Sequence, residues 1–152
     1  MKDIKHLVVS AIKDGTVIDH IPAKDLFKVI AILGLDKIEN QVTFGSNLDS
    51  KKLGKKAIIK ISDLFFRNED INKIALVAPE AKLNIIKEYN VVEKKVVEVP
   101  NEITGIAKCV NPKCITNNEE IVTKFAVVDK KKVVLKCYYC EKITNSENMR
   151  II

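Results

Sequence analysis

The four cysteines of this 152-residue chain fall between positions 109 and 140, in two pairs. Cys109 and Cys114 have four residues between them, Cys137 and Cys140 have two, and 22 residues separate the pairs. No other feature restricts the fold so sharply, because two short thiol loops can converge only if the intervening segment doubles back. Secretion is not expected, since Lys2, Asp3, Lys5 and His6 interrupt the apolar stretch an export signal needs. In a reducing cytoplasm such pairs serve a metal or redox role rather than disulfides. A single CxxC pair would leave a redox motif open. Two pairs match a tetrahedral site for one Zn2+ held by four thiolates, with Zn–S bonds of about 2.3 Å. Four thiolates fill the coordination shell, so the expected zinc is structural, with no open position for catalysis.

The remainder reads as an α+β chain. A β-branched run at 4–12 predicts a strand, Asp14-Gly15 punctuates it, and Thr16-Val17-Ile18 resumes it. Pro22 at a first helical position predicts a helix carrying Leu26, Val29, Ile30 and Leu33 on one face, with Gly34 as its C-terminal stop. Residues 41–44 read as a short strand, 45–54 as a polar loop, and 57–61 as a strand with Lys60 outward. Asn68 is expected to cap a second helix, with Ile71, Ile74, Ala75 and Val77, that ends before Pro79. Residues 83–86 and 91–99 give two further strands, or one interrupted at Glu88-Tyr89-Asn90. The order β-α-β-β-α-β predicts a ferredoxin-like N-terminal domain, an antiparallel sheet with two helices on one face. Pro100-Asn101 divides it from a small all-β zinc domain, giving domains 1–100 and 101–152. Strands are expected there at 103–108, 121–128 and 133–136, a segment too thin to hold a core without its metal.

Charge and motif content exclude several classes. The net charge is +6, but residues 1–100 carry 17 basic and 14 acidic side chains and residues 101–152 carry 9 and 6, so each part holds +3. Dedicated nucleic-acid binders gather charge into a patch or tail. A nucleic-acid-binding zinc ribbon is the rival reading. The 3 Tyr, 5 Phe and absent Trp, however, show no stacking pattern along a sheet strand, so no nucleic acid is expected. No apolar run approaches the ~18–20 residues of a membrane span. With His6 and His20 as its only histidines, and no GxSxG, Walker A or GxGxxG motif, the chain offers no catalytic constellation. Lys130 to Lys132 read as a solvated hairpin turn, and the Tyr138-Tyr139 pair inside the second thiol loop can face both metal and partner.

Several segments carry a resemblance that runs the length of the chain. They are GTVIDHIPA at 15–23, GSNL at 45–48, KAIIKI at 56–61, ALVAP at 75–79, YNVV at 89–92, CVNPKC at 109–114 and CYYCE at 137–141. In order and spacing they are similar to aspartate carbamoyltransferase regulatory chains. The resemblance implies a non-catalytic subunit that binds CTP as inhibitor and ATP as activator, with UTP a third candidate effector. It also implies pairing of two copies through the N-terminal domain. The zinc domain would dock on the catalytic chain that condenses carbamoyl phosphate with aspartate, the committed step toward pyrimidines. Carried over by position, the nucleotide site would use Val9, Ala11, Ile12, Val17, Asp19 and His20. Lys60 and Lys94 would be its cationic contacts, and Asn84, Ile86, Tyr89 and Val91 its base- and sugar-facing positions. Lysine ammonium groups suit a triphosphate, and Asp19 suits a ribose hydroxyl. Ser10 stands where the best-known bacterial members have an acid, and Val96 where some carry an arginine. Asn111, Lys113, Glu141 and Lys142, polar residues on the thiol loops, are candidate contacts to the catalytic chain.

Overall fold

The computed structural model of the chain describes residues 11–152. The strand expected at 4–12 therefore lies outside the described residues, as does Val9, apart from Ala11 and Ile12, which are irregular. Five strands, β1 (Gly15–Pro22), β2 (Val42–Ser50), β3 (Gly54–Ser62), β4 (Lys82–Lys87) and β5 (Asn90–Val96), form one antiparallel sheet. Its order is β2-β3-β1-β4-β5, the ferredoxin-like order with one strand added at an edge. The helices α1 (Leu26–Leu33) and α2 (Asn68–Asn72) connect β1 to β2 and β3 to β4. Both cover the same face. Ile18, Ile59, Ile61 and Leu83 from the sheet meet Leu26 and Val29 of α1, Ile71 of α2 and Ile74 just after it in one cluster, these eight at most 1% exposed. At roughly 1.5–3 kcal/mol for each fully buried aliphatic side chain, this cluster dominates the domain's stability.

Several boundaries differ from the sequence expectation, each for a local reason. Pro22 does not open a helix: its ψ of 131° is extended, so it ends β1, and a 3-10 turn over Ala23–Asp25 leads into α1. Gly34 does close α1 in the left-handed conformation (φ 65°, ψ 30°). The loop expected at 45–54 is instead mostly strand, because β2 is an edge strand with a register shift between Gly45 and Leu48. Solvated on its outer side, it has no need of apolar alternation. Asn68 does not cap α2 with its side chain; Arg67 is the capping position, and the Asn68 Oδ1 accepts from Lys95 Nζ on β5 at 3.1 Å. The second helix tightens into a 3-10 turn at Lys73–Leu76. The interruption at Glu88-Tyr89 is a hairpin turn with both residues at positive φ (49° and 65°). Backbone N–H groups anchor it, Glu88 donating to Asp14 Oδ1 at 3.0 Å and Tyr89 to the Lys13 carbonyl at 2.9 Å. At the start of β1, Gly15 is required, because a Cβ there would lie 2.0 Å from the Ile61 carbonyl oxygen.

The C-terminal part is β-rich but not purely β. The expected strand at 103–108 breaks at Gly105 (φ 70°) into β6 (Glu102–Thr104) and β7 (Ala107–Lys108). With β8 (Lys124–Asp129), β9 (Val134–Cys137) and β10 (Ile143–Thr144), β6 forms a sheet of order β10-β9-β8-β6. A separate ladder pairs β7 with β11 (Arg150–Ile151). One helical turn, α3 (Ile115–Asn118), follows Cys114. The second core gathers Ile103, Phe125, Leu135, Met149 and three of the cysteines. Leu76, from the other side of Pro100, is buried in this second cluster, and Ile32, Val77 and Val99 pack against both cores. The two parts thus share apolar surface rather than hanging on a linker. No described helix is long and apolar enough to cross a membrane.

Candidate functional site

The four cysteines converge. Their Sγ atoms all lie within 4.8 Å of one another, and contacts cross between the pairs, Cys109 to Cys140 at 3.5 Å and Cys114 to Cys137 at 3.7 Å. Tetrahedral ligation at a metal–sulfur bond near 2.3 Å places sulfurs about 3.8 Å apart, so the cluster has the dimensions of a metal site with four thiolate ligands. The strands deliver the thiols: Cys109 follows β7 and Cys137 ends β9. Asparagines that sequence reasoning passed over shape the first loop. Asn117 Nδ2 donates to the carbonyls of Cys109 (2.9 Å) and Asn111 (2.7 Å), and Asn118 Nδ2 to those of Pro112 (3.0 Å) and Cys114 (2.8 Å). Their signal was present as Asn-Asn three and four residues beyond the second thiol, a residue type that bonds its own local backbone. In the second loop the Glu141 N–H donates to the Cys137 carbonyl at 3.0 Å, with Glu141 at φ 64°.

The electrostatics of the cluster call for a cation. Burial pushes the Cys109 thiol up to about 12 and raises Cys137 as well. Burial also opposes ionisation of Cys140. There the Lys142 backbone N–H, the Asn111 side chain and the neighbouring thiols outweigh it and bring the group down to about 7. Thiolates crowded into a buried site are costly unless a metal neutralises them. The donor set and the spacing fit a bound metal. Of the expected partner contacts, Lys113, Glu141 and Lys142 are exposed, whereas Asn111 is half-buried and its Oδ1 accepts the Lys113 N–H at 3.1 Å.

The second candidate site lies on the sheet face that the helices leave bare. Residues directly opposite on antiparallel strands share a face. The register therefore sets Lys60, Val17, Asn84 and Lys94 in one row across β3, β1, β4 and β5. The next row toward the Glu88-Tyr89 turn holds Ile86 and Val91, and the row on the other side holds Asp19, Lys82 and Val96. Asp19, His20, Lys82, Asn84 and Lys94 line a cleft of about 430 Å³. Ala11, Ile12 and Tyr89 line a separate cleft of about 320 Å³ at the turn end. Of the expected nucleotide residues, Asp19, His20, Asn84 and Lys94 line the first hollow and Ala11, Ile12 and Tyr89 the second, whereas Val17, Lys60, Ile86 and Val91 lie on the sheet rows and line neither. Rows four residues apart on β4 span about 13 Å, which an extended nucleotide can bridge.

Local chemistry marks the first hollow. A register shift in β1 between Ile18 and Ile21 puts His20 at φ 61°, strain uncommon for a residue with a Cβ. Its Nδ1 is buried without a hydrogen-bond partner, 3.7 Å from the Asp19 carboxylate. Asp19 also accepts the His20 backbone N–H at 2.6 Å and pairs with Lys56 Nζ at 3.0 Å, a residue the sequence reading did not single out. Lys60 points away from the core, as expected, yet is only 8% exposed. Burial lowers its pKa from 10.5, and the Asp19 charge opposes that shift. No aromatic ring occupies these three rows, so the sheet lacks the stacking platform of a single-strand nucleic-acid binder.

Comparison with known proteins agrees with both halves of this picture. Residues 7–98 match the family described as aspartate carbamoyltransferase regulatory chain, allosteric domain, and residues 101–150 match the metal binding domain of the same chain. The aspartate carbamoyltransferase regulatory chain of Bacteroides fragilis is 58% identical over 146 residues, covering 96% of this chain and 95% of its own. That of Phocaeicola vulgatus is 54% identical over 153 residues, covering 100% and 99%. That of Pyrococcus horikoshii is 54% identical over 145 residues, covering 94% and 95%. With matches to both the allosteric domain and the metal binding domain and to relatives along nearly its whole length, the chain belongs to the family of aspartate carbamoyltransferase regulatory chains.

Proposed function

We propose that the chain binds nucleoside triphosphates on the sheet face opposite its helices and transmits their binding to a catalytic chain docked on its zinc domain. The observation that carries the reading is the row Lys60–Val17–Asn84–Lys94 beside the hollow of Asp19 and His20. Two lysines on one row supply charge for a polyphosphate, one buried and one exposed. The amide of Asn84 and the carboxylate of Asp19 supply hydrogen bonds for base and ribose hydroxyls. Backbone groups near Ile12 and Tyr89 can read the exocyclic amine that CTP and ATP share and UTP lacks.

The ion at the four thiolates is Zn2+ in this reading, held by Cys109, Cys114, Cys137 and Cys140. When bound it supplies a closed, charge-neutralising cross-link and no reactive position. Asn111, Lys113, Glu141 and Lys142 lie on the loops it orders, where they can meet the catalytic chain. Two copies pair through the N-terminal domain and so link catalytic trimers. Coupling between nucleotide and catalytic chain runs through the shared apolar contacts of Leu76, Ile32 and Val77, at a coupling free energy typically of about 1–3 kcal/mol. A calorimetric titration of the zinc-loaded chain with CTP, ATP and UTP tests the reading. Saturable binding with a preference for the amine-bearing bases is expected. A folded chain that binds none of the three overturns it.

A further inference from the structure

The β7–β11 ladder breaks a rule of strand pairing. Arg150 and Lys108 stand directly opposite each other on it, both exposed. Like charges in that position destabilise a pair of strands. Among the described residues neither has a carboxylate within ion-pair distance, although Glu119, Glu120, Glu141 and Glu147 belong to the same domain. The two cations border a hollow of about 550 Å³ between the first thiol loop and the C-terminal strand, with Cys109, Val110, Pro112, Asn117 and Asn148 as its other walls. No acidic residue lines it.

The hollow also has oriented amides. Asn117 Nδ2 is committed to two carbonyls, which fixes the amide orientation and leaves its Oδ1 as an acceptor. Asn148 is the reverse: its Oδ1 accepts the Asn145 N–H at 2.8 Å, leaving Nδ2 as a donor. A free inorganic anion has no use for an acceptor, and neither a glycine-rich loop nor a long helix offers it backbone donors here. A peptide with an acidic side chain uses everything present. Its carboxylate takes the Arg150 fork and the Lys108 ammonium, and its main-chain N–H and C=O take Asn117 and Asn148. Val110 is 38% exposed at the rim and gives the segment an apolar contact.

We propose that this hollow is a docking site for an acidic segment of the catalytic chain, with Lys108 and Arg150 as its anchors. The proposal rests on the reading of the zinc domain as the docking module and names a surface beyond the thiol-loop residues already considered. The like-charge pair is then explained, since it is a cost in the isolated chain that the partner's carboxylate removes.

The test is assembly of the full-length, zinc-loaded chain with its catalytic trimer, followed by sedimentation at several salt concentrations. Lys108→Glu with Arg150→Glu should weaken assembly by about tenfold or more and flatten its salt dependence. CTP binding and zinc content should not change. Lys108→Gln with Arg150→Gln, which removes charge without adding repulsion, should raise the melting temperature of the isolated chain while weakening assembly. Those opposite signs would not arise from damage to the fold, and this variant carries the test should the charge reversal disturb zinc retention. Wild-type assembly by both variants overturns the proposal alone. Saturable binding of inorganic phosphate, lost in the variants while assembly persists, reassigns the hollow to a free anion and also overturns it. A wild-type chain that does not assemble overturns the docking reading beneath it.

Discussion

Lys60 and Lys94 stand on the same row of the sheet but in different dielectric surroundings, and that difference predicts how their removal should read out. Lys60 is 8% exposed, and Lys94 is exposed beside it on β5. A hydrogen bond from a charged, largely desolvated ammonium to a phosphate oxygen contributes about 1.5–3 kcal/mol net. Lys60→Met, which keeps the aliphatic stem, should therefore weaken CTP by about 10- to 150-fold. An exposed ion pair contributes about 0.5–1 kcal/mol, so Lys94→Ala should cost only about 2- to 5-fold at physiological ionic strength. Salt separates the two further, because the Debye length falls from about 10 Å at 0.1 M to about 3 Å at 1 M. The Lys94 effect should fade over that range, whereas most of the Lys60 effect should survive. Calorimetry with CTP at low and high salt measures all four quantities, and thermal melting checks each fold. Lys60→Met is not expected to unfold the domain, since it removes a buried charge from a position outside the apolar cluster. Binding by Lys60→Met within about twofold of wild type, or equal salt sensitivity of the two losses, would refute the placement of the phosphates on this row.

Further predictions concern pH, metal and the contact between the domains. Burial holds the Lys60 pKa below 10.5, so alkaline titration should neutralise it at a lower pH than an ordinary lysine. Below the lowered pKa the buried charge costs stability, and that cost is relieved as pH rises toward 10.5. Over the same interval CTP affinity should fall, and the free chain's stability should not fall with it; parallel loss of both would contradict the assignment. Removal of the metal by a chelator should melt the C-terminal part first. The chain has no Trp, and two of its 3 Tyr lie in the second thiol loop, so tyrosine fluorescence reports this step. Unchanged fluorescence and proteolytic resistance after complete metal loss would contradict a folding role. Leu76→Ala, at a position 1% exposed in the second core, should cost about 2–5 kcal/mol by chemical denaturation. It should also reduce the effect of CTP on the catalytic partner, and full coupling in that variant would remove Leu76 from the path.

Much of the metal centre was legible in the sequence because its signal is local: thiol spacing alone requires two loops that face each other. The apolar periodicities likewise placed both helices and most strands, since burying one face demands a repeat of 3.6 or 2 residues. Periodicity failed where packing makes no demand. The second half of β2, from Gly45 on, looked like a loop because its outer side meets water, and Pro22 read as a helix start because φ alone does not decide ψ. The nucleotide residues were named through a resemblance, and nothing local distinguishes Lys60 from other lysines of the chain. Only sheet register puts Lys60 beside Val17, Asn84 and Lys94, residues up to 77 positions apart, and buries it. The pairing of Lys108 with Arg150 and the passage of Leu76 into the second core are likewise invisible along the chain. Sequence by itself determined most of the elements and the convergence of the four thiols. Tertiary structure decided which charges share a face and which are stripped of water, because both depend on contacts between segments that no local pattern encodes.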